Sequence, residues 1–156
     1  MKPFIKTNLV DGLLVQPAKK GQGLAAAVIA AAREVHRHLG PGFTREIYEE
    51  ALCTELNEAR IPFERRREVG VLYKNWPIGQ HRLPLLVDGA VIVEALAAES
   101  LTSNDRARMI AWLKAANLSQ GVLLNFNVPA LKSGIQRVCY RENETGDWSY
   151  ARNAGQ

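Results

Sequence analysis

The sequence predicts an α/β fold with a mixed central sheet flanked by helices. Its periodicity runs helix, helix, strand, hairpin, helix, strand, strand. The pattern centres on LPLLVDGAVIVEALAAES, Leu83 to Ser100. This stretch reads as two strands, Leu83 to Val87 and Ala90 to Leu96, joined at Asp88-Gly89, a dipeptide that tolerates the positive φ angles of a tight hairpin turn. Both strands are apolar nearly throughout, as expected of strands covered on both faces. One carboxylate, Glu94, interrupts the second strand. A charge there is costly to desolvate unless a partner or a metal compensates it.

Composition bounds the class of protein. The chain has 156 residues, 47% hydrophobic and 23% charged, enough for one globular domain with a sizeable core and too few to make a second domain expected. Cys53, on a predicted helix, and Cys139, on a predicted strand, have neither metal-ligand spacing nor a disulfide framework, and read as small buried apolar residues in a reducing compartment. No basic leader followed by an apolar stretch opens the chain, and no apolar run approaches the ~20 residues that span a bilayer. A soluble cytoplasmic protein with no membrane partner is the expectation. A net charge of +4 and a pI near 9.3 make acidic partners easier to attract without demanding nucleic acid.

Residues 1–22 form an N-terminal arm with short apolar clusters that include Phe4, Leu13 and Leu14. Its DGLLVQP segment is either a short strand after a turn or an arm that orders against another surface. The domain, residues 23–141, opens with LAAAVIAAAREVHRHLG, whose Leu24, Val28, Ala31, Val35 and Leu39 stand at helical spacing until Gly40-Pro41-Gly42 stops the helix. Its terminal Arg33, His36, Arg37 and His38 suit either a phosphate or the helix macrodipole, and the macrodipole is the simpler reading. Thr44 is a plausible cap for a second helix to Ala59 that buries Ile47, Ala51, Leu52, Leu56 and Tyr48. Glu46, Glu49 and Glu50 fall in its first turns, where acids stabilise any helix.

FERRREVGVLY, Phe63 to Tyr73, is a strand whose alternation puts Arg65 and Arg67 on one face and Glu64, Arg66 and Glu68 on the other. It reads as an edge strand blunted by charge, with a phosphate-binding stripe as the second reading. Lys74-Asn75-Trp76-Pro77 reads as a loop, with Trp76 anchored on the core. Beyond the central hairpin, Ser103 or Asn104 caps a helix, Asp105 to Ala116, with Ala107, Ile110, Ala111, Leu113 and Leu118 inward and Trp112 at its edge. Gly121 to Asn127 and Ile135 to Tyr140 are the last strands. The tail, residues 142–156, is polar apart from Trp148 and Tyr150, two aromatics that suggest docking onto its own domain or a neighbour.

Three pieces carry a specific resemblance. LGPGFTREIYEEAL, the hairpin VDGAVIVE and GVLLNFNVPALKSGIQRV resemble the GxxExxY family, a small bacterial and archaeal branch of the PD-(D/E)XK nuclease-like superfamily, over roughly Leu24 to Tyr140. The resemblance implies a restriction-endonuclease-like core. In such enzymes an Asp on one hairpin strand and a Glu-x-Lys on the other hold Mg²⁺, which activates water against the phosphate. Carried over by position, Glu94 keeps the Glu, while the Asp position is Pro84 and the Lys position is Leu96. The motif Glu after Gly42 is Arg45, although Tyr48 remains, and Glu46 lies about 100° of helix away. The usual helix Gln is Arg108, and the His often found just before it is Asp105.

The expectation is therefore a degenerate site with no metal or other cofactor, in which Arg45 or Arg108 pairs with Glu94. Three functions follow from it. One is a catalytically silent module that associates with itself or another protein through Phe4, Leu13, Leu14, Trp148 and Tyr150. Another is a nucleic-acid-binding pseudo-nuclease using Arg65, Arg67, Lys74, Arg82 and Arg108. The weakest is a Mg²⁺-dependent nuclease whose carboxylates have migrated, with Glu94, Asp88 and Glu46 as ligands.

Overall fold

The computed structural model describes residues 20–142, with side chains from residue 23 onward, and the backbone of two short strands ahead of them. These are β1 (Leu9–Val10) and β2 (Leu13–Leu14), paired antiparallel. Phe4, Trp148 and Tyr150 lie outside the described residues, as do the side chains of Leu13 and Leu14.

Two helices follow, α1 (Lys20–Leu39) and α2 (Arg45–Glu58). Alanine-rich composition favours α1, and Ala25, Val28, Ala32 and Val35 give it the buried stripe. It ends where Gly40 and Gly42 take φ of 64° and 119°, values that side chains with a Cβ rarely adopt. Near its end, Arg37 and His38 both meet Glu34 on the same helix, and His36 Nε2 lies 2.8 Å from the Val128 carbonyl. Thr44 takes the N-cap position of α2 without a side-chain hydrogen bond. The buried face of α2 is Tyr48, Glu49, Leu52, Cys53 and Leu56. Ile47 is exposed instead of buried, because it sits about 100° of helix from Tyr48, which takes the core position.

The five-stranded sheet has the order β3 (Phe63–Tyr73), β4 (Trp76–Val87), β5 (Val91–Leu96), β6 (Gln120–Asn125), β7 (Ile135–Cys139). All neighbours run antiparallel except β5 and β6, which are parallel and joined through α3 (Ser103–Ala116). The mixed sheet flanked by helices is thus the architecture read from the sequence. Two apolar layers cover its faces. Val91, Val93 and Ala95 meet α1 and α2, while Ile92 and Leu96 meet α3 through Met109, Ile110 and Leu113.

Several boundaries differ from the sequence reading. Asp88 and Gly89, with φ of 47° and 64°, form the expected turn, but β4 starts at Trp76, not Leu83. Its first half is of mixed polarity and exposed on both faces, so no burial alternation marks it. The turn before it is Lys74-Asn75, again with two positive φ angles, and Trp76, paired with Tyr73, is 74% exposed. The expected anchoring of Trp76 on the core is therefore wrong: β3 and β4 form a long hairpin that leaves the indole beside its turn in solvent. Helix α3 is capped by Thr102, not Ser103 or Asn104, in a reciprocal box with Asp105, and Ala111 faces solvent. Cys53 is buried and Cys139 half-buried.

Candidate functional site

Pro84 decides where the cleft opens. Strands β4 and β5 pair only from Leu85↔Val93 to Val87↔Val91. The next position on β4 is proline, which has no N–H to donate, so the ladder ends and β5 continues against β6 alone as far as Leu96↔Asn125. On the other side of Pro84, β3 answers with Arg66 at φ 59°, a left-handed residue inside a strand. That backbone costs about 1–3 kcal/mol. The guanidinium of Arg66 holds it in place by donating to the Pro84 carbonyl at 3.1 Å.

The parting strands leave a cleft of about 260 Å³ roofed by the first turns of α2. Arg45, Pro84 and Glu94 all line it. Three of the positions that the resemblance marks therefore converge on the cleft, and the others lie outside its lining. Leu96 packs into the apolar layer under α3, and Arg108 approaches Glu94 from that helix. Even-numbered residues of β5 face α3, which is why Arg108 and not Arg45 meets Glu94. The Arg108 guanidinium donates to both Glu94 oxygens, at 2.6 and 3.3 Å, and to Asp105 at 2.9 Å. It also lies 5.5 Å from the Trp112 ring centroid, and His81 stacks on the same indole at 5.3 Å.

The charges around Arg108 are strongly coupled. Burial pushes the Glu94 carboxyl up from its ordinary value, and the Arg108 hydrogen bonds pull against that rise. Burial alone would lower Arg108, yet the hydrogen bonds it donates to Glu94 and Asp105 raise it overall. Asp105, which burial would raise, is held below its ordinary value by the Thr102 backbone N–H and by Arg108.

Sequence reading missed Glu49, the second buried acid of the cleft. It lies one helical turn after Arg45, and that spacing was the available signal. Arg65 and Arg66 both reach it, at 3.1 and 3.3 Å, so the expected placement of these arginines on opposite faces is incorrect. The left-handed turn at Arg66 breaks the alternation. Among the other predicted phosphate contacts, Arg65 also meets Glu50, Arg67 meets Glu64 and Arg82 meets Glu68. Lys74 sits at the hairpin turn with its ammonium 5.5 Å from the Tyr73 ring centroid.

A divalent cation is poorly served by this arrangement. Mg²⁺ is held by one or two carboxylates in near-octahedral oxygen geometry. Here both Glu94 oxygens face a guanidinium, Pro84 stands opposite, and among the described residues no three His, Cys, Asp or Glu side chains converge. Glu46 lines the cleft but pairs with Arg45 at 3.2 Å. Asp88 occupies the closed end of the hairpin, where its N–H donates to the Pro62 carbonyl, so the structure separates it from Glu94. The residues present do not fit the metal.

Tyr48 does structural work instead. Its hydroxyl donates to the Gly40 carbonyl at 2.5 Å and accepts from the Phe43 N–H at 3.2 Å, and its ring stacks on Phe126 at 4.6 Å. Next to Phe126 in the chain, Asn125 is buried and accepts from the N–H groups of Ala98 and Asn127 while donating to the Ala98 carbonyl. Together they tie down LGPG and NFNVP, two of the stretches that carry the resemblance.

No curated protein and no solved structure matches the chain. Among the described residues, no helix is long and apolar enough to cross a membrane. A family model of the PD-(D/E)XK nuclease superfamily matches residues 22–138, well over half of the chain and all five strands of the sheet apart from the last residue of β7. With the mixed sheet and the cleft at its parted hairpin in agreement, the chain belongs to the PD-(D/E)XK nuclease superfamily.

Proposed function

We propose that this chain is a catalytically silent nuclease-fold protein of the GxxExxY branch, retained as a module that associates with itself or with another protein. The observation that carries the reading is Arg108 bonded to both oxygens of Glu94, where an active relative would hold a metal. A guanidinium there compensates the buried acid and competes with any divalent ion for the same oxygens. The two thiols fit a reducing, cytoplasmic setting.

The surface supports association. Leu72, Tyr73, Trp76 and Ile78, each 60% exposed or more, crowd the end of one hairpin. An apolar patch of this kind marks a contact surface. The apolar residues of the arm, Phe4, Leu13 and Leu14, are further candidates. Nucleic-acid binding is the second reading, favoured by Trp76 and Tyr73 beside Lys74, a combination suited to stacking unpaired bases. It ranks lower because Arg65, Arg67, Arg82 and Arg108 already face carboxylates.

Two measurements test the reading. Plasmid DNA or RNA incubated with the protein and Mg²⁺ or Mn²⁺ is expected to stay intact, and cleavage that disappears in Glu94→Ala would overturn catalytic silence. Replacing Trp76 and Tyr73 by serine is expected to weaken association, read by light scattering, about 30-fold, as for the loss of a hot spot of roughly 2 kcal/mol. An unchanged mass distribution would remove the hairpin as the contact. If the same variant loses single-stranded DNA binding that falls steeply with salt, the second reading gains instead.

A further inference from the structure

A groove of about 1080 Å³, separate from the cleft, runs between the end of the β3–β4 hairpin and the C-terminal half of α3. Ala111 and Ala115 give it a flat floor, and Val71, Leu72, Leu118 and Tyr140 give it apolar walls. Leu72 is 62% exposed there, an apolar side chain that a ligand would cover. The chain itself leads into this groove: Arg141 and Glu142, the last described residues, line it. Fourteen residues follow, and they carry Trp148 and Tyr150.

We infer that the groove is the seat of the chain's own C-terminal segment, with the rings of Trp148 and Tyr150 laid on the alanine floor of α3. Three features argue for this occupant. The rings are two residues apart, so an extended segment presents both on one side. Trp148 is six residues beyond Glu142, a tether of up to about 20 Å. A tether that short gives an effective concentration near millimolar, which favours the chain's own tail over that of a second copy. The charges also match, since Glu144 and Asp147 precede the rings while Lys74, Lys114 and Arg141 outnumber Glu142 in the lining of the groove. The inference does not depend on the loss of hydrolysis, and it covers Leu72 but leaves Tyr73, Trp76 and Ile78 of the hairpin crest, and the N-terminal arm, as the surfaces for a partner.

Nuclear Overhauser spectroscopy on the full-length, isotope-labelled protein tests it. Cross-peaks are expected between the ring protons of Trp148 and Tyr150 and the methyls of Ala111 and Ala115. They should be absent from the isotope-filtered spectrum of mixed labelled and unlabelled chains. Cross-peaks confined to the filtered spectrum would assign the groove to a second copy's tail and overturn the inference, as would no ring-to-methyl contact at all. Ala111→Arg, at an exposed position of α3, is expected to release the tail and raise acrylamide quenching of Trp148 about threefold in a Trp76→Phe/Trp112→Phe background. Quenching that does not change would also overturn it.

Discussion

Replacing Arg108 by methionine is expected to destabilise the domain by about 2 kcal/mol at neutral pH, and the loss should shrink as the solution is acidified. Removing one partner of a fully buried ion pair costs about 3–5 kcal/mol. Here the Glu94 side chain is 7% exposed but that of Arg108 is 36% exposed, so solvent screening lowers the figure. The pH dependence follows from Glu94. Burial already holds its folded-state pKa above the ordinary value, with Arg108 pulling it back, and the variant lacks that pull. A carboxyl whose pKa is higher folded than unfolded takes up a proton more readily in the folded state. The stability this contributes is fully present below the unfolded value and is lost as pH rises through the folded one. The Arg108→Met penalty should therefore be small below the ordinary carboxylate range and largest once the pH has passed the raised folded-state value of Glu94. Denaturant titrations at several pH values check this. In Glu94→Gln/Arg108→Met, which removes both charges, stability at neutral pH should return to within about 1 kcal/mol of wild type. A penalty independent of pH, or two single-variant losses that simply add, would remove Arg108 as the compensating cation.

Gly134→Ala is expected to cost about 3 kcal/mol, at the upper end of what overpacking does. A Cβ at Gly134 would fall 2.0 Å from the Asn125 carbonyl oxygen and 3.1 Å from a Val128 methyl. The first of these is backbone at the end of β6, and it cannot rotate away. The same carbonyl belongs to the residue whose side chain secures Ala98 and Asn127, so the displacement would spread into the loop beyond the cleft. Gly79→Ala is the internal control. A Cβ there meets nothing within 4 Å, and the change should move the unfolding midpoint by no more than about 0.5 kcal/mol. Equal effects at the two positions would show that the close approach at Gly134 relaxes at little cost.

What the sequence disclosed follows from which physical signals act locally. Asp88-Gly89 announced its turn because two successive positive φ angles suit few other residues. Glu94 announced that it needed a partner because a charge amid VIVEAL has no cheap alternative. Which arginine would serve was hidden, since that depends on the face of β5 that α3 covers, a property of the assembled layers. Arg66 was hidden more deeply. Arginine carries no preference for a left-handed backbone, and its φ of 59° is set by Pro84 across the hairpin, eighteen residues away. Trp76 misled for the opposite reason: an indole is ordinarily covered, and nothing local says that this hairpin leaves it in solvent. Glu49 was visible only as an acid near a helix start, because the two arginines that define its surroundings sit on another element. The same limit applies to the first half of β4, where a strand exposed on both sides leaves no alternation to read.

The tyrosine that clasps the Gly40 carbonyl has a bearing on what a signature motif preserves. Selection for a folded chain would be enough to preserve that phenol, whatever happens to the acid three residues before it. Half of the signature stretch thus has a reason to persist that involves packing and a backbone clasp, independent of any chemistry at the cleft.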